Sequence, residues 1–305
     1  MPAIIISQVS QLTELLELLR ELLPRSSMAF HAVKFILDQR FPSPAVNQPT
    51  CLVDTWPQPQ LVWNSLLQPA CKPTMAMISL LSVKPTTILD DQQDVAQFFR
   101  DCVAHTGALA PSLYFFFWTP EKAIMDVVLS VLSTEFPSRQ AVYERTDHLW
   151  YCEPQVREWS CSQNHIQSLP AEFYVDKART EQEFAWIDSL KAQKTRPTLH
   201  CWKERVDQLP HVAFRRKSDD RLVCFYFTDF YGQCTHGYTA EEYRGRGLFS
   251  MATNELTKRQ FDIGMHPYGV IRPENRNSQK ATARSHGWKS SDVDMYIVTA
   301  EVKED

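Results

Sequence analysis

Hydrophobic residues in the first half of the chain recur at two spacings, one typical of helices and one typical of buried strands. A spacing of three to four residues predicts helices over 12–24, 95–107 and 119–132. Uninterrupted apolar runs predict strands over 30–37, 51–54, 61–67 and 112–118. The aromatic run in the last of these is expected to be a central strand that is buried on both faces. Helices that alternate with buried strands predict a mixed α/β domain.

The pattern changes between residues 153 and 170, where polar residues and prolines replace the periodic positions. This change predicts a linker that separates a domain at 1–155 from a domain at 165–305. The second domain is expected to begin with two helices, over 181–192 and 199–209. A hairpin is predicted next, and the elements that follow it are a strand, a helix and a strand, over 211–216, 221–228, 233–238, 248–263 and 268–271.

Composition narrows the class of protein. The chain has 305 residues, about twice the usual single-domain length, and its 44% hydrophobic and 22% charged residues are typical of a folded globular protein. A net charge of −4 gives no basic field for nucleic acid, and no apolar run of about 18 residues is present to cross a bilayer. The eight cysteines form no Cys-x-x-Cys pair, which favours reduced, buried thiols. We therefore expect no nucleic-acid partner and no membrane partner. We also expect a monomer, and no bound metal because the histidines do not recur with carboxylates at metal-ligand spacing.

Glycine is concentrated in the last quarter of the chain, where seven of the eight glycines follow residue 231. Two of them, Gly245 and Gly247, stand between a predicted strand and a predicted helix and allow a ligand to approach the backbone closely. The N–H groups and the dipole of a helix N-terminus favour a phosphate there, and Arg244 and Arg246 add positive charge. The alternative is a solvated connection, since the segment lacks the lysine of a P-loop and the third glycine of the dinucleotide fingerprint.

This segment resembles the Arg/Gln-x-x-Gly-x-Gly/Ala signature of the Gcn5-related N-acetyltransferase (GNAT) superfamily. Arg244 and Gly247 match that signature, and Phe249 replaces its last small residue. The chain is more closely similar to the glycine N-acyltransferase family. That likeness rests on Val-Asp-Thr-Trp-Pro at 53–57, on residues 205–210 before the hairpin, and on residues 239–248 with their Glu-Tyr-Arg-x-x-Gly-Leu core.

The resemblance implies two domains of related acetyltransferase-like fold, each a mixed, mostly antiparallel sheet flanked by helices, with the first domain degenerate. It implies that the second domain uses acyl-CoA as a co-substrate, without a permanently bound cofactor. The acyl group would be transferred to the amine of glycine or a similar small amino acid. A mitochondrial location is also implied, with the cytoplasm as the alternative.

The acyl-CoA site is expected where the strand 233–238 separates from the strand 268–271, so that the pantetheine arm adds between them as an extra strand-like element. A backbone N–H in that position would stabilise the oxyanion of the tetrahedral intermediate. The residues expected to bind acyl-CoA are Gly237, Tyr238, Thr239, Arg244, Gly245, Arg246, Gly247, Leu248, Phe249, Asn277 and Lys280.

The catalytic residues are harder to assign because the general base of the family is missing. Members of the family place a glutamate eleven positions before the loop arginine, but this position is Gln233, and an amide does not accept a proton at neutral pH. His236 titrates in the right range, yet strand alternation places it on the opposite face from Gln233 unless a β-bulge turns it round. Gln233 and His236 are therefore the catalytic candidates, with Glu241 and Glu242 as more distant bases.

Two further functions stay open on the same residues. Loss of the glutamate would leave a catalytically impaired acyl-CoA binder, and a likeness limited to fold would leave an N-acetyltransferase with a different amine acceptor. Many superfamily members also protonate the leaving thiolate with a tyrosine that has no counterpart at 284–287. Ser285 or water would replace it, or no acid is needed, because a free thiol has a pKa of only about 8.5.

Overall fold

The computed structural model describes residues 2–40, 47, 49–69, 74–83, 92–110, 113–190 and 202–302. The chain divides into two compact units. Unit 1 comprises Met1–Asp147 with Val293–Asp305, and unit 2 comprises His148–Asp292. The predicted domain 1–155 corresponds to most of unit 1, and the predicted domain 165–305 corresponds to most of unit 2. They differ because the last segment of the chain returns to unit 1 instead of staying with the second domain.

Unit 1 is built on a sheet with helices on both of its faces. Its elements are β1 (Ile4–Ile5), α1 (Val9–Glu21), α2 (Ser27–Leu37), β2 (Thr50–Val53), β3 (Leu61–Gln68), β4 (Thr74–Ser82), α3 (Gln92–Thr106), β5 (Leu113–Thr119), α4 (Lys122–Glu135), most of β6 (Arg139–Cys152) and the end of β12 (Trp288–Val302). The strand order is β1-β2-β3-β4-β5-β12. Neighbouring strands are antiparallel except β4 and β5, which run parallel over 74–79 and 113–118.

The core of unit 1 lies on both faces of this sheet. The apolar sides of α3 and α4 pack on one face, and those of α1 and α2 pack on the other. Phe115 and Phe117 of β5 are fully buried, and their rings stack with centroids 6.0 Å apart. The prediction of a central strand is therefore confirmed, since β5 lies between β4 and β12, whereas Tyr114 and Phe116 on the opposite face are only half-buried.

The strand predicted over 30–37 is wrong, because these residues belong to α2. Eight of the eleven residues of α2 are buried, among them the polar side chains of Ser27 and His31. A helix that is buried on most of its circumference has no polar stripe, so its sequence shows an apolar run and not an amphipathic spacing. Such a short run does not distinguish a buried helix from a buried strand.

Unit 2 carries a second sheet, with the strand order β10-β9-β8-β7. Its elements are α5 (Arg157–Ser162), β7 (Phe173–Asp176), α6 (Glu181–Ser189), α7 (Trp202–Gln208), β8 (His211–Arg216), β9 (Leu222–Thr228), β10 (Cys234–Thr239), α8 (Leu248–Asp262), β11 (Tyr268–Ile271) and α9 (Arg276–Ala283). The apolar side of α8 covers one face of this sheet, and α6 and α7 cover the other. Strand β11 pairs antiparallel with the end of β6 at 148–151.

The hairpin, the third strand, the long helix and β11 are confirmed within one residue of their predicted bounds. The segment predicted as a linker contains a helical turn, Pro154–Val156, and the short helix α5. Strand β7 was not predicted. None of the helices in the described ranges is both long and apolar enough to cross a membrane.

Candidate functional site

Two parallel strands of unit 2, β10 and β11, meet at one point only. Gln233 and Tyr268 form an isolated parallel bridge, and no further ladder pair joins the two strands within the described residues. Beyond the bridge β10 pairs with β9, while β11 pairs with β6. The facing edges of β10 and β11 are therefore available to an extended ligand, as the sequence predicted for the pantetheine arm.

Buried side chains fix the closed end of this opening. The hydroxyl of Tyr268 donates to the carbonyl oxygen of Tyr231 at 2.8 Å. From α8, the amide of Gln260 donates to the Thr228 hydroxyl at 3.0 Å and accepts from the thiol of Cys234 at 3.1 Å. These bonds join the start of β10, the end of β9 and α8, so the point at which the two strands part is held rigidly.

A β-bulge interrupts β10 directly after the opening begins. The register with β9 shifts between Thr235 and Tyr238, so that His236 and Gly237 together oppose the single residue Tyr226. His236 has a φ of +54°, a left-handed conformation that side chains other than glycine seldom adopt. A bulge of this kind turns side chains away from regular alternation.

The bulge places His236 on the α7 face of the sheet. Its ring contacts Trp202 of α7 edge-on, with centroids 5.0 Å apart, and Trp202 also contacts Phe227, the register partner of Thr235. By alternation Gln233 shares the face of Thr235. The opposite-face arrangement expected for a regular strand is therefore wrong, and the structure shows the stated alternative, in which a β-bulge turns His236 round.

Arg205 of α7 is a cationic side chain that contacts this bulge. It is 8% exposed, and its Nη1 donates to Nδ1 of His236 at 3.4 Å. Its Cζ lies 4.5 Å from the ring centroid of Trp202 and 5.3 Å from that of Phe230. A guanidinium has no acceptor atom, so the Nδ1 lone pair of His236 accepts this bond, and the proton of the neutral ring is on Nε2.

Asp229 lies between β9 and β10, on the same side as Arg205. Its Oδ1 accepts from the backbone N–H groups of Tyr231 at 2.9 Å and Gln233 at 3.0 Å. Burial raises the pKa of the Asp229 carboxyl to about 6, although the charge of Arg205 and the two backbone hydrogen bonds act in the opposite direction. The carboxylate thus braces the turn that presents Gln233 and balances part of the buried positive charge.

The glycine-rich segment joins β10 to α8 as predicted. Gly245 and Gly247 have φ values of +77° and +79°, and Gly247 is the N-cap residue of α8. Only glycine adopts these angles without strain. The Met251 N–H donates to the carbonyl oxygen of Gly247, so the N–H groups of the residues between them form the free start of the helix, where a phosphate is favoured.

The two arginines of this segment are held by neighbouring side chains. Arg246 forms an ion pair with Glu172 at 2.6 Å, and its Cζ lies 5.2 Å from the centroid of the Phe173 ring. Arg244 forms an ion pair with Glu241 at 3.2 Å and also donates from Nε to the carbonyl oxygen of Thr239 at 3.1 Å. Both are partly exposed, so each can reach a phosphate by exchanging an exposed carboxylate for it.

Phe249 and Gly237 pack against each other between α8 and the bulge. A Cβ at position 237 would lie 2.5 Å from Cε2 of Phe249, so no residue larger than glycine fits unless this ring moves. The Phe249 ring also packs on Tyr226, with centroids 5.2 Å apart. Phe249, which replaces the small residue of the signature, therefore fits because Gly237 on β10 has no side chain.

The remaining predicted residues occupy the rim of the site or its core. Asn277 and Lys280 lie three residues apart on α9 and are exposed, whereas Leu248, the first residue of α8, is buried. Tyr238 packs against Trp186 and Phe225, with centroids 5.6 Å apart in each pair. The hydroxyl of Thr239 contacts the thiol of Cys224 at 3.3 Å, which leaves its backbone as the part that a ligand reaches.

The distant candidate bases are engaged elsewhere. Glu242 forms an ion pair with Arg221 at 2.7 Å, and Glu241 is paired with Arg244. Ser285 is buried, and its hydroxyl donates to the carbonyl oxygen of Ala281 at 3.3 Å. No cluster of three His, Cys, Asp or Glu residues that could hold a metal ion occurs in the part of the chain that the structure describes.

Comparison with known proteins identifies the fold. No protein-family model and no curated protein matches the chain. The X-ray structure of a Drosophila protein is 13% identical, with 97% of both chains covered and a TM-score of 0.71. A tandem GNAT protein from the clavulanic acid biosynthesis pathway, solved without acetyl-CoA, is 10% identical, with 99% of both chains covered and a TM-score of 0.51. The predicted fold class and the resemblance to the GNAT superfamily are therefore confirmed as fold, whereas the narrower resemblance to glycine N-acyltransferases stays a prediction.

Sequence reasoning missed the chemical importance of Asp229 and Trp202 and noted Arg205 only as part of a family motif. These residues are separated by up to 27 positions from one another and meet through the packing of α7 on the sheet. The one local signal was the histidine–glycine pair at 236–237, since glycine inside a strand often marks a bulge.

Proposed function

We propose that this chain transfers an acyl group from acyl-CoA to the amine of glycine or a similar small amino acid. The observation that carries the proposal is the single bridge between β10 and β11, followed by two positive-φ glycines at the start of α8. Together they supply an opening for the pantetheine arm and a phosphate site for the pyrophosphate, in a chain with the tandem GNAT fold.

The chemistry follows from these parts. The free amine attacks the thioester carbonyl, and the tetrahedral intermediate collapses to an amide and the CoA thiolate, while the proton lost by the nitrogen passes to water or to the thiolate. Backbone N–H groups of β10 beside the bulge would stabilise the oxyanion, as positioned donors do in acyl transfer. The thiolate leaves without an enzymic acid at modest cost, because a thiol pKa of about 8.5 makes it a good leaving group.

Deprotonation of the incoming ammonium is the step that this site supports least. Gln233 does not accept a proton, and the Nδ1 lone pair of His236 already accepts from Arg205. We therefore propose that the amine enters largely as the free base, with a rate that rises with pH. The mitochondrial location implied by the resemblance belongs to this proposal and is checked by cell fractionation.

A second candidate is an acyl-CoA binder with impaired catalysis. Gln233 is the specific observation that favours it, because this amide occupies the position at which the family places its base. A third, an N-acetyltransferase with another amine acceptor, rests on the fold alone.

Two measurements on the same preparation separate these functions. Steady-state release of CoA thiol is followed with acetyl-, butyryl- and benzoyl-CoA against glycine, glutamine and a polyamine, while calorimetry gives the affinity for each acyl-CoA. Turnover with glycine or glutamine supports the amino acid N-acyltransferase, and turnover with the polyamine alone supports the third function. Binding without turnover supports the impaired binder, and absence of binding contradicts all three.

A further inference from the structure

A buried cation stands on the α7 side of the bulge, where the thioester end of the pantetheine arm would lie. Arg205 is 8% exposed, while His236, to which it donates, is only half-buried. The histidine thus connects the buried guanidinium to the accessible part of the bulge. A small acceptor that approaches β10 from this side meets the Arg205–His236 pair.

The groups around Arg205 favour an anionic ligand. Trp202 and Phe230 present aromatic rings to its guanidinium, and such contacts hold the cation in place without neutralising it. Among the described neighbours, Asp229 supplies negative charge, and the charge of Arg205 opposes the rise in the Asp229 pKa that burial causes. The family's glutamate would have added a second negative charge at position 233, but Gln233 is neutral.

We propose that Arg205 binds the carboxylate of the acceptor and thereby selects amino acids over other amines. This inference rests on the proposed acyl transfer. A planar guanidinium recognises a carboxylate with two parallel hydrogen bonds, which fixes orientation as well as position. The proton on Nε2 of neutral His236 adds a further donor beside it.

The consequence for the reaction is orientation of the amine. In an α-amino acid the nitrogen and the carboxylate are attached to the same carbon, so a carboxylate anchored on the α7 side directs the amine towards the thioester. Arg205 is then a specificity-determining residue, and its removal should affect acceptors with a carboxylate much more than acceptors without one.

The test compares glycine with glycinamide at equal concentrations of free amine. We expect the wild type to prefer glycine at least 10-fold in kcat/KM, and we expect Arg205→Gln to raise KM for glycine about 10–100-fold while leaving glycinamide unchanged. Arg205→Lys keeps the charge without the two-pronged geometry and should give an intermediate preference. Arg259→Gln, an arginine on α8 that pairs with Glu255, is the control and should leave the preference intact.

A binding experiment makes the inference independent of turnover. N-acetylglycine and N-acetylglycinamide are titrated into the protein saturated with CoA. Tighter binding of the acid in the wild type, with equal binding in Arg205→Gln, supports the inference even if no amine is acylated. No preference for the acid in the wild type contradicts it without any variant. An unchanged preference in both Arg205 variants also contradicts it and leaves Arg205 with a structural role only.

Discussion

Two parallel strand pairs in the described residues differ in how far they stay paired. In unit 1, β4 and β5 form a continuous parallel ladder of six register pairs, from Thr74–Leu113 to Ser79–Trp118. In unit 2, β10 and β11 are joined by the Gln233–Tyr268 bridge alone. In both units a helix connects the two strands, so the same sequence of elements ends in a closed sheet in one case and in an open cleft in the other.

Side chains and glycines explain the difference. The closed pair buries Ile78, Phe115 and Phe117 in the core of unit 1, so apolar packing favours pairing of the strands. The open pair has Gly269 on one strand and a bulge at Gly237 on the other. Residues 84–91 contain no glycine, whereas residues 240–247 of unit 2 contain two. The two units therefore differ in how far their parallel strands pair and in the glycine content of the segment that follows the first strand of each pair.

The largest expected effect comes from the glycines that distinguish the two loops. Replacing Gly245 and Gly247 together by valine should abolish acyl-CoA binding, because Cβ atoms block the backbone and positive φ is unfavourable for a branched residue. Calorimetric titration with acetyl-CoA measures the loss. Each substitution also costs roughly 1–3 kcal/mol of stability, so thermal unfolding must be recorded beside it.

Unit 1 offers the matched control for this double variant. Gly107 has a φ of +61° and open space around a Cβ, so Gly107→Val imposes the same kind of backbone strain after α3. We expect it to lower the unfolding temperature and to leave acyl-CoA affinity unchanged. If the double variant still binds acetyl-CoA like the wild type, the glycine segment of unit 2 is not the phosphate site, and the functional contrast between the units fails.

The next largest effect concerns the residue that bridges the open pair. If Gln233 faces the acceptor amine, then Gln233→Glu should raise turnover at neutral pH by about 10–1000-fold, near the usual contribution of a general base. The wild-type rate should climb with pH, as free amine becomes available, without a plateau from an enzymic group. Initial rates of thiol release from pH 6 to 9 measure both.

His236→Ala is the companion variant for this experiment. A wild-type plateau near pH 6 to 7 that disappears in His236→Ala would assign the base to His236, even though its Nδ1 accepts from Arg205 in the structure. Flat rates in both variants would show that neither residue is the base. In that case Asp229 becomes the nearest carboxylate to examine, since it already accepts from the Gln233 N–H.

The accuracy with which the sequence predicts secondary structure also differs along the chain. The segment from β8 to β11 was predicted within one residue, because a hairpin turn, two glycines and an amphipathic helix are local signals. The closed pair of unit 1 was not foreseen, since β4 and its pairing with β5 depend on contacts distant in sequence. Helix α2 was mistaken for a strand because burial removed its polar stripe.

The two halves of the candidate site also differ in how well local sequence predicts them. Its proposed phosphate half, around Gly245 and Gly247, is contiguous in sequence, so residue types alone were enough to predict it. Its acceptor half is not, because Arg205, Asp229 and His236 come from three elements. The orientation of His236 also depends on a bulge and a left-handed φ, which a two-residue alternation does not represent.

The smallest expected effect on function comes from one buried carboxylate in each unit. Burial raises the pKa of Asp229 to about 6 and that of Glu121, beside Arg25 in unit 1, to about 7. A raised carboxyl pKa means that the native state favours the protonated form, so stability falls as pH rises from about 4 through these values. Asp229→Asn and Glu121→Gln remove that loss. Each variant should gain about 3 kcal/mol over the wild type between pH 4 and pH 8, by linkage from shifts of about two units.

Urea unfolding at several pH values measures these gains, and a third carboxylate controls for them. Asp219 is exposed and paired with Arg216, which lowers its pKa to about 2, so Asp219→Asn should show no gain as pH rises. If the difference in unfolding free energy between Asp229→Asn and the wild type does not change from pH 4 to 8, the Asp229 carboxylate is hydrated and not buried. Glu121 belongs to unit 1, so Glu121→Gln should change stability alone. Asp229→Asn removes a charge next to Arg205 and should therefore change the kinetics with the acceptor as well. Equal kinetics in the two variants would remove Asp229 from the acceptor site and restrict the functional asymmetry to the phosphate loop.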